Sequence, residues 1–305
     1  MQTMPDFELG PVRVWLGESG GRYPDGNQVL VQGADTLAAF DTPLVSDRLG
    51  SEFEAADLVI LGHVHEDHVA GLHRVKNAAV HVHTGDVEAA RSWDGLARHY
   101  GYSPEILAEL HTKLCREFHY QPRADALAYR DGTVWQLGGG VSVRAIHMPG
   151  HTSGHSVLMV EPGDIAFVGD IDLSSFGPYY GDATSSLSEF RATLKRLRTL
   201  HAQVWITSHH KGVITDRTAF LAALDAFERQ IQVREDRLLA LLDAGPQTLE
   251  ELVQQRILYR PGAKALWLDS AERRSISQHL AELMAQSIVG EIEGGRFERL
   301  RTLAH

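Results

Sequence analysis

One cysteine, Cys115, is all that 305 residues contain. No disulfide can form within the chain, and a reducing compartment, the cytoplasm, is expected. No run of about 18 apolar residues occurs, which excludes a bilayer-spanning helix and a membrane partner. Met1 to Gly10 carries Asp6 and Glu8 and has no basic segment leading into an apolar one, so no export signal is expected. Positive charge is also short: 29 Lys and Arg face 40 Asp and Glu, for a net charge of −11. That balance argues against nucleic acid, whose binding rests on cations against phosphate. From Pro246 onward eight basic residues match eight acidic ones, so the whole acidic excess lies before that point. An apolar content of 43% and a charged content of 23% exclude a disordered or fibrous chain, and no internal repeat or low-complexity stretch is visible.

What the chain has in excess is histidine, 17 residues, several at short spacing. Histidine is the commonest neutral metal ligand and the side chain suited to proton transfer near pH 7. The length fits one large domain with a generous core, or one large domain with a small one attached. Short strands are predicted at Val12 to Leu16, Gln28 to Gln32, Thr36 to Phe40, Leu58 to Leu61 and Val80 to His83. Asp86 to Tyr129 reads as a helical insert, either a lid or a cover for the sheet. Strands return from Gly132 to Val168, followed by an amphipathic helix at Leu187 to Leu200 and a strand at Val204 to Ile206. Phe220 to Leu242 is one long helical pattern, read as one helix or two. Thr248-Leu249-Glu250-Glu251 is a capping box opening a further helix. Ser270 to Gln286 is another helix, and Ile288 to Leu300 a hairpin with Gly294-Gly295 at its tip. The expected division is 1–228, catalytic, and 229–305, three helices and a hairpin.

The chemistry concentrates in His63-Val64-His65-Glu66-Asp67-His68, at the end of a buried strand. Positions 63 and 65 of a strand end point the same way, so two imidazoles can close on one metal. Asp67 and His68 lie one turn on and can meet a second. Zinc takes His nitrogen and Asp oxygen, and its catalytic sites leave one position for water. Two ions need more ligands than this cluster supplies. His151 in Pro149-Gly150-His151-Thr152, Asp170 in Val168-Gly169-Asp170, and His209 in Thr207-Ser208-His209 each follow a predicted strand. Ligands gathered at several strand ends are how an α/β scaffold builds a rigid site. For the cluster alone, a histidine-rich surface loop has about one chance in ten, and the three further residues remove it. His155 reads as structural or supporting, and His73, His81, His83, His99, His111 and His119 as solvated or structural. Asp86 and Asp172 read as local hydrogen-bonding residues.

In order, HxHxDH, PGHT, GD and a late histidine resemble the metallo-beta-lactamase superfamily, over roughly residues 10 to 215. Asp41, in Asp41-Thr42-Pro43, matches that family's first acidic motif, with Pro where Gly is more usual. The resemblance implies a four-layer αβ/βα sandwich with metals at one edge. It implies His63, His65 and His151 on the first metal, Asp67, His68 and His209 on the second, and Asp170 bridging. Counting forward from the strand selects His209; counting back from Val213-Ile214 selects His210; His209 is taken, since the loop can absorb an insertion. Di-iron relatives carry an acidic residue where His65 stands, so two zinc ions are expected, with manganese or iron able to substitute.

The implied mechanism is hydrolysis by a hydroxide bridging the metals, which also polarise the carbonyl or phosphoryl group. Asp67 orients the nucleophile and passes its proton to the leaving group, and Asp41 fixes a ligand histidine from behind. Phe176, Tyr179 and Tyr180, close after Asp170, form either a substrate pocket or a packed Ω-loop. The C-terminal part resembles the winged-helix tail of a subgroup of the superfamily. Arg273, Arg274, Arg296, Arg299 and Arg301 are its cations, interrupted by Glu291, Glu293 and Glu298; packing or homodimerisation is preferred over nucleic-acid binding two to one on charge. The expected substrate is a small-molecule ester, thioester, lactone or phosphoester, and the alternative is an endoribonuclease acting on single-stranded RNA. Leu173 stands where quorum-signal lactonases carry tyrosine, which argues against that subtype.

Overall fold

A computed structural model describes residues 4–300; Arg301 lies outside them. Two sheets dominate. The first has seven strands in chain order: β1 (Phe7–Leu9), β2 (Val12–Trp15), β3 (Gln28–Gln32), β4 (Leu37–Phe40), β5 (Leu58–Leu61), β6 (Ala79–His83) and β7 (Leu127–Tyr129). It is antiparallel up to β4 and parallel from β4 to β7. The second contains β8 (Val134–Gly138), β9 (Val141–His147), β10 (Ser156–Glu161), β11 (Ile165–Phe167), β12 (Val204–Ile206) and β13 (Val213–Ile214), in spatial order β13-β12-β11-β10-β9-β8.

Successive strand residues point to opposite faces, and here both faces are apolar, the pattern of a sheet covered on each side. Val29, Val31, Leu58 and Ile60 meet Ala145, Leu158, Phe167 and Ile206 in the core between the sheets. The alternate residues Leu30, Val59 and Leu61 pack outward with Leu96, Leu110 and Leu114 of the insert helices. On the far side, Val157, Met159 and Trp205 pack against Phe190 and Leu194 of the helix Leu187–Thr199 and Phe220 and Leu224 of the helix Arg217–Asp243. The layers are helix, sheet, sheet, helix, as expected for an α/β sandwich. The insert is helical at Val87–Arg91, Trp93–Tyr100 and Pro104–Glu117, but its end, Leu127–Tyr129, is a strand pairing with β6.

Arg217–Asp243 is a single 27-residue helix, not two, so residue 228 falls inside it. Its first half fills the core under the second sheet, while Leu238 and Leu242 join Leu252, Ile276, Leu280 and Val289 in a separate C-terminal core. The Thr248–Glu251 capping box opens the helix Leu249–Gln255. The helix Leu268–Ala285 and a three-stranded sheet, β14 (Gln247–Thr248), β16 (Arg296–Arg299) and β15 (Val289–Ile292), complete the region. Among the described residues no helix is long and apolar enough to cross a membrane.

Candidate metal centre and substrate cavity

The strand ends β5, β9, β11 and β12 bring the sequence-distant histidines and aspartates to one edge of the sandwich. His63, His65, His151 and Asp170 offer ligand atoms within 4.8 Å of one another, and so do Asp67, His68 and His209. Asp170 joins the two groups through its two oxygens. Oδ2 lies 3.3 Å from His151 Nε2 and 3.9 Å from His63 Nε2, while Oδ1 lies 3.1 Å from His68 Nε2 and 3.3 Å from His209 Nε2. Asp67 Oδ2 is 3.2 Å from His209 Nε2. His210 points elsewhere, its Nε2 3.5 Å from Asp172. Gly150, just before His151, has φ +129°, and a Cβ there would meet Phe190 Cα at 2.3 Å; only glycine lets this loop lie so close to the helix beneath it.

The outward ring nitrogens of four of these histidines are already engaged. His65 Nε2 meets Asp182 at 3.0 Å, His68 Nδ1 meets Asp41 at 2.8 Å, His151 Nδ1 meets the Tyr179 carbonyl at 3.1 Å, and His209 Nδ1 meets the Gly21 carbonyl at 2.7 Å. Donation to those oxygens leaves lone pairs on the inward nitrogens, yet His65 Nδ1 and His151 Nε2 stand 3.0 Å apart, and His68 Nε2 and His209 Nε2 3.3 Å. Lone pairs converging at that distance need a shared proton or a metal cation between them. His63 is buried with no hydrogen-bond partner on either ring nitrogen, a cost that metal ligation removes. The donor set, imidazole and carboxylate, suits zinc, manganese or iron.

Charge follows the same geometry. Burial disfavours charge on His65, but the hydrogen bond and charge of Asp182 outweigh it, and its pKa is pushed up to about 9. Burial also opposes charge on His68 and His209, and is overcome by Asp170, with Asp67 adding to it. A metal ion bound there would displace protons from these rings. Burial drives His63 the other way, well below the ordinary histidine range.

Asp41 lies behind His68, its other oxygen accepting the Gly62 N–H at 2.7 Å. Asp86, read as a local residue, makes long-range bonds instead: it is buried and accepts from Thr152 Oγ1 at 2.6 Å and Gly154 N at 2.7 Å, tying the His151 loop to the start of the insert. His155 supports Asp170, accepting its N–H at 3.2 Å. Sequence reasoning missed Asp182 altogether; its nearest signal is a position 12 residues past Asp170 in the aromatic loop.

A cavity of about 270 Å³ opens onto this edge. Tyr23, Tyr100, Tyr102, Phe176, Tyr179, Tyr259 and Trp267 wall it, and neither lysine nor arginine lines it. Four of the five tyrosine hydroxyls are committed to carboxylates: Tyr23 and Tyr100 donate to Glu66, Tyr102 and Tyr179 to Asp182. Phe176 and Tyr179 line this cavity. Tyr180 does not; it is fully buried, with its hydroxyl 2.9 Å from His279 Nε2, because the loop turns its ring toward the C-terminal helices. Tyr259 and Trp267 come from the C-terminal region. Arg234, in the long helix, donates to the Phe176 and Pro178 carbonyls and stacks on the Phe176 and Tyr180 rings.

Residues 54–209 match the metallo-beta-lactamase superfamily. An acyl-coenzyme A thioesterase of Homo sapiens is 28% identical over 214 residues, 62% of this chain and 73% of that protein. An atrochrysone carboxyl ACP thioesterase of Emericella nidulans is 30% identical over 154 residues, 50% of this chain and 46% of its own length. A metallo-beta-lactamase family protein of Thermus thermophilus has a similar structure, with a TM-score of 0.69 and 27% identity, over 96% of this chain and 99% of its own. The motifs, the sandwich and these matches agree: the chain belongs to the metallo-beta-lactamase superfamily and is a metal-dependent hydrolase.

Proposed function

We propose that the protein is a dinuclear zinc thioester hydrolase. The observation that carries this reading is the split of Asp170 between two histidine clusters, set against a small aromatic cavity. His63, His65 and His151 would hold one ion, Asp67, His68 and His209 the other, with Asp170 shared. Bound there, the ions would supply an acidified water and a Lewis acid for the carbonyl oxygen. The chain supplies the rest. Asp182, Asp41 and the carbonyls of Tyr179 and Gly21 keep the ligand lone pairs aimed inward. The aromatic walls exclude bulk water and seat an apolar acyl group. The water oxygen bonds to the acyl carbon, the carbon–sulfur bond breaks with its electron pair going to sulfur, and Asp67 carries the water proton toward the thiolate. A thiol of pKa about 8.5 leaves readily and needs little acid assistance. The thioesterases among the relatives favour this class over the lactones and phosphoesters otherwise open to such a centre.

The C-terminal region, taken as 229–305, is read as winged-helix-like and as a buttress for the catalytic domain. Arg191 bridges Glu235 and Glu282, and Arg274 donates to the Tyr100 and Gly101 carbonyls. A ribonuclease would need its cations free to meet phosphate, whereas Arg273, Arg296 and Arg299 are paired with Glu250, Glu251 and Asp243.

The test is hydrolysis of short-chain and aryl thioesters by zinc-loaded protein, with Asp67→Ala and His151→Ala alongside and labelled single-stranded RNA as a second substrate. Thioester cleavage that disappears in both variants, together with their loss of bound zinc, is expected. RNA cleavage without thioester cleavage would replace this reading with the ribonuclease.

A further inference from the structure

Beside the aromatic cavity lies a second hollow of about 700 Å³, between the helix Pro104–Glu117 and the segment 264–267. The two hollows share Tyr23 and Trp267 as a common wall. Their chemistry differs sharply. The inner cavity has no lysine or arginine, while the outer one gathers Lys113, Arg116 and Lys264. In a chain of net charge −11, a hollow with three cations against two acids, Glu109 and Glu117, beside an acidic, aromatic cavity is a local reversal of sign.

These cations are not all neutralised where they stand. Lys264 has no ion-pair partner among the described residues, and Lys113 and Arg116 share one carboxylate, Glu117. Glu109 is the other acid in the hollow. Lys113 Nζ is fixed rather than free-swinging. It sits 5.2 Å from the Trp267 ring centre, 5.4 Å from Phe118 and 5.5 Å from Tyr23, and donates to the Tyr23 hydroxyl at 3.2 Å. Three rings hold the Lys113 ammonium in place beside its ion pair with Glu117.

We propose that this hollow is the binding subsite for the phosphate-bearing end of the thiol carrier, a phosphopantetheine thioester whose acyl group occupies the aromatic cavity. The inference rests on the thioesterase reading and goes beyond it by naming the leaving group. An apolar acyl group has no use for the outer cations, and a phosphorylated carrier has no partner in the inner cavity. The two hollows adjoin at Tyr23 and Trp267, and the proposal runs one molecule past these rings, with its thioester at the metal edge.

Three thioesters of one aryl acyl group test it: on coenzyme A, on a phosphopantetheinylated acyl carrier protein, and on N-acetylcysteamine, which has no phosphate. The protein is compared with its Arg116→Glu/Lys264→Glu double variant, whose fold is checked by thermal melting. The expected result is a fall of about tenfold in kcat/KM for a phosphate-bearing substrate relative to N-acetylcysteamine, carried by KM and shrinking as salt is raised. A fall on coenzyme A assigns the subsite to a free nucleotide carrier; a fall on the carrier protein alone assigns it to a protein-borne arm. Equal effects on all three substrates, or none, overturn the subsite and leave the thioesterase standing. No hydrolysis of any thioester by the wild type overturns both.

Discussion

Replacing Asp182 by asparagine probes the support of the metal centre without touching a ligand. The side chain is 1% exposed and accepts from His65 Nε2 at 3.0 Å, Tyr102 Oη at 2.5 Å and Tyr179 Oη at 3.2 Å. Asparagine preserves the shape but removes the charge, and its amide nitrogen must face at least one group that is itself a donor. A hydrogen bond to a charged group contributes about 1.5–3 kcal/mol. Loss of a carboxylate behind a ligand histidine lowers metal affinity by roughly 10–100-fold, or about 1.4–2.8 kcal/mol at 1.4 kcal/mol per decade. The two routes agree because orienting His65 is what the bond does. Zinc competition against a chromogenic chelator at neutral pH measures the change, with far-ultraviolet circular dichroism confirming the fold. A folded Asp182→Asn protein that holds zinc as tightly as the wild type would refute the assignment of Asp182 as the group that aims His65.

Two further outcomes follow from the packing around the centre. Burial keeps His155 neutral in the folded chain, its pKa pushed down to about 3, while in the unfolded chain it takes a proton near pH 6.5. Between those values the unfolded state binds more protons, so metal-free stability falls as pH falls, by up to about 1.4 kcal/mol per pH unit from this group. Urea titrations should show that slope flattened in His155→Gln, and an unchanged slope would assign the acid sensitivity elsewhere. Arg234 is buried and holds the Phe176 and Pro178 carbonyls of the loop that carries the Tyr179 carbonyl and Asp182. Arg234→Met should lower stability by about 2–4 kcal/mol and weaken zinc binding as well, with Arg234→Lys intermediate in both; stability lost with zinc affinity intact would show that the loop reaches its position unaided.

The sandwich was legible because short continuous apolar runs such as Val29–Val31 and Leu58–Leu61 reveal strands buried on both faces. So were the seven candidate ligands, since each follows a strand or sits in the compact His63–His68 segment. The choice between His209 and His210 rested on counting from β12 rather than from Val213-Ile214, and the sequence supports either count. The helix through residue 228 was harder: one amphipathic pattern does not say that its two halves serve two cores. Tyr180 was misplaced for a related reason, because adjacent aromatic residues in a loop look alike until packing turns one ring to the cavity and the other to His279. Asp182, the tyrosine–carboxylate pairs, and the contribution of Tyr259 and Trp267 to the cavity came only from tertiary structure. Each joins residues far apart in the chain, such as His65 with Asp182 or Tyr23 with Glu66. Sequence sets the chemical type of a side chain and the local direction of the backbone. Which carboxylate stands behind which histidine, and which ring faces the substrate, is decided by long-range packing, where every group must find a partner or a void to fill.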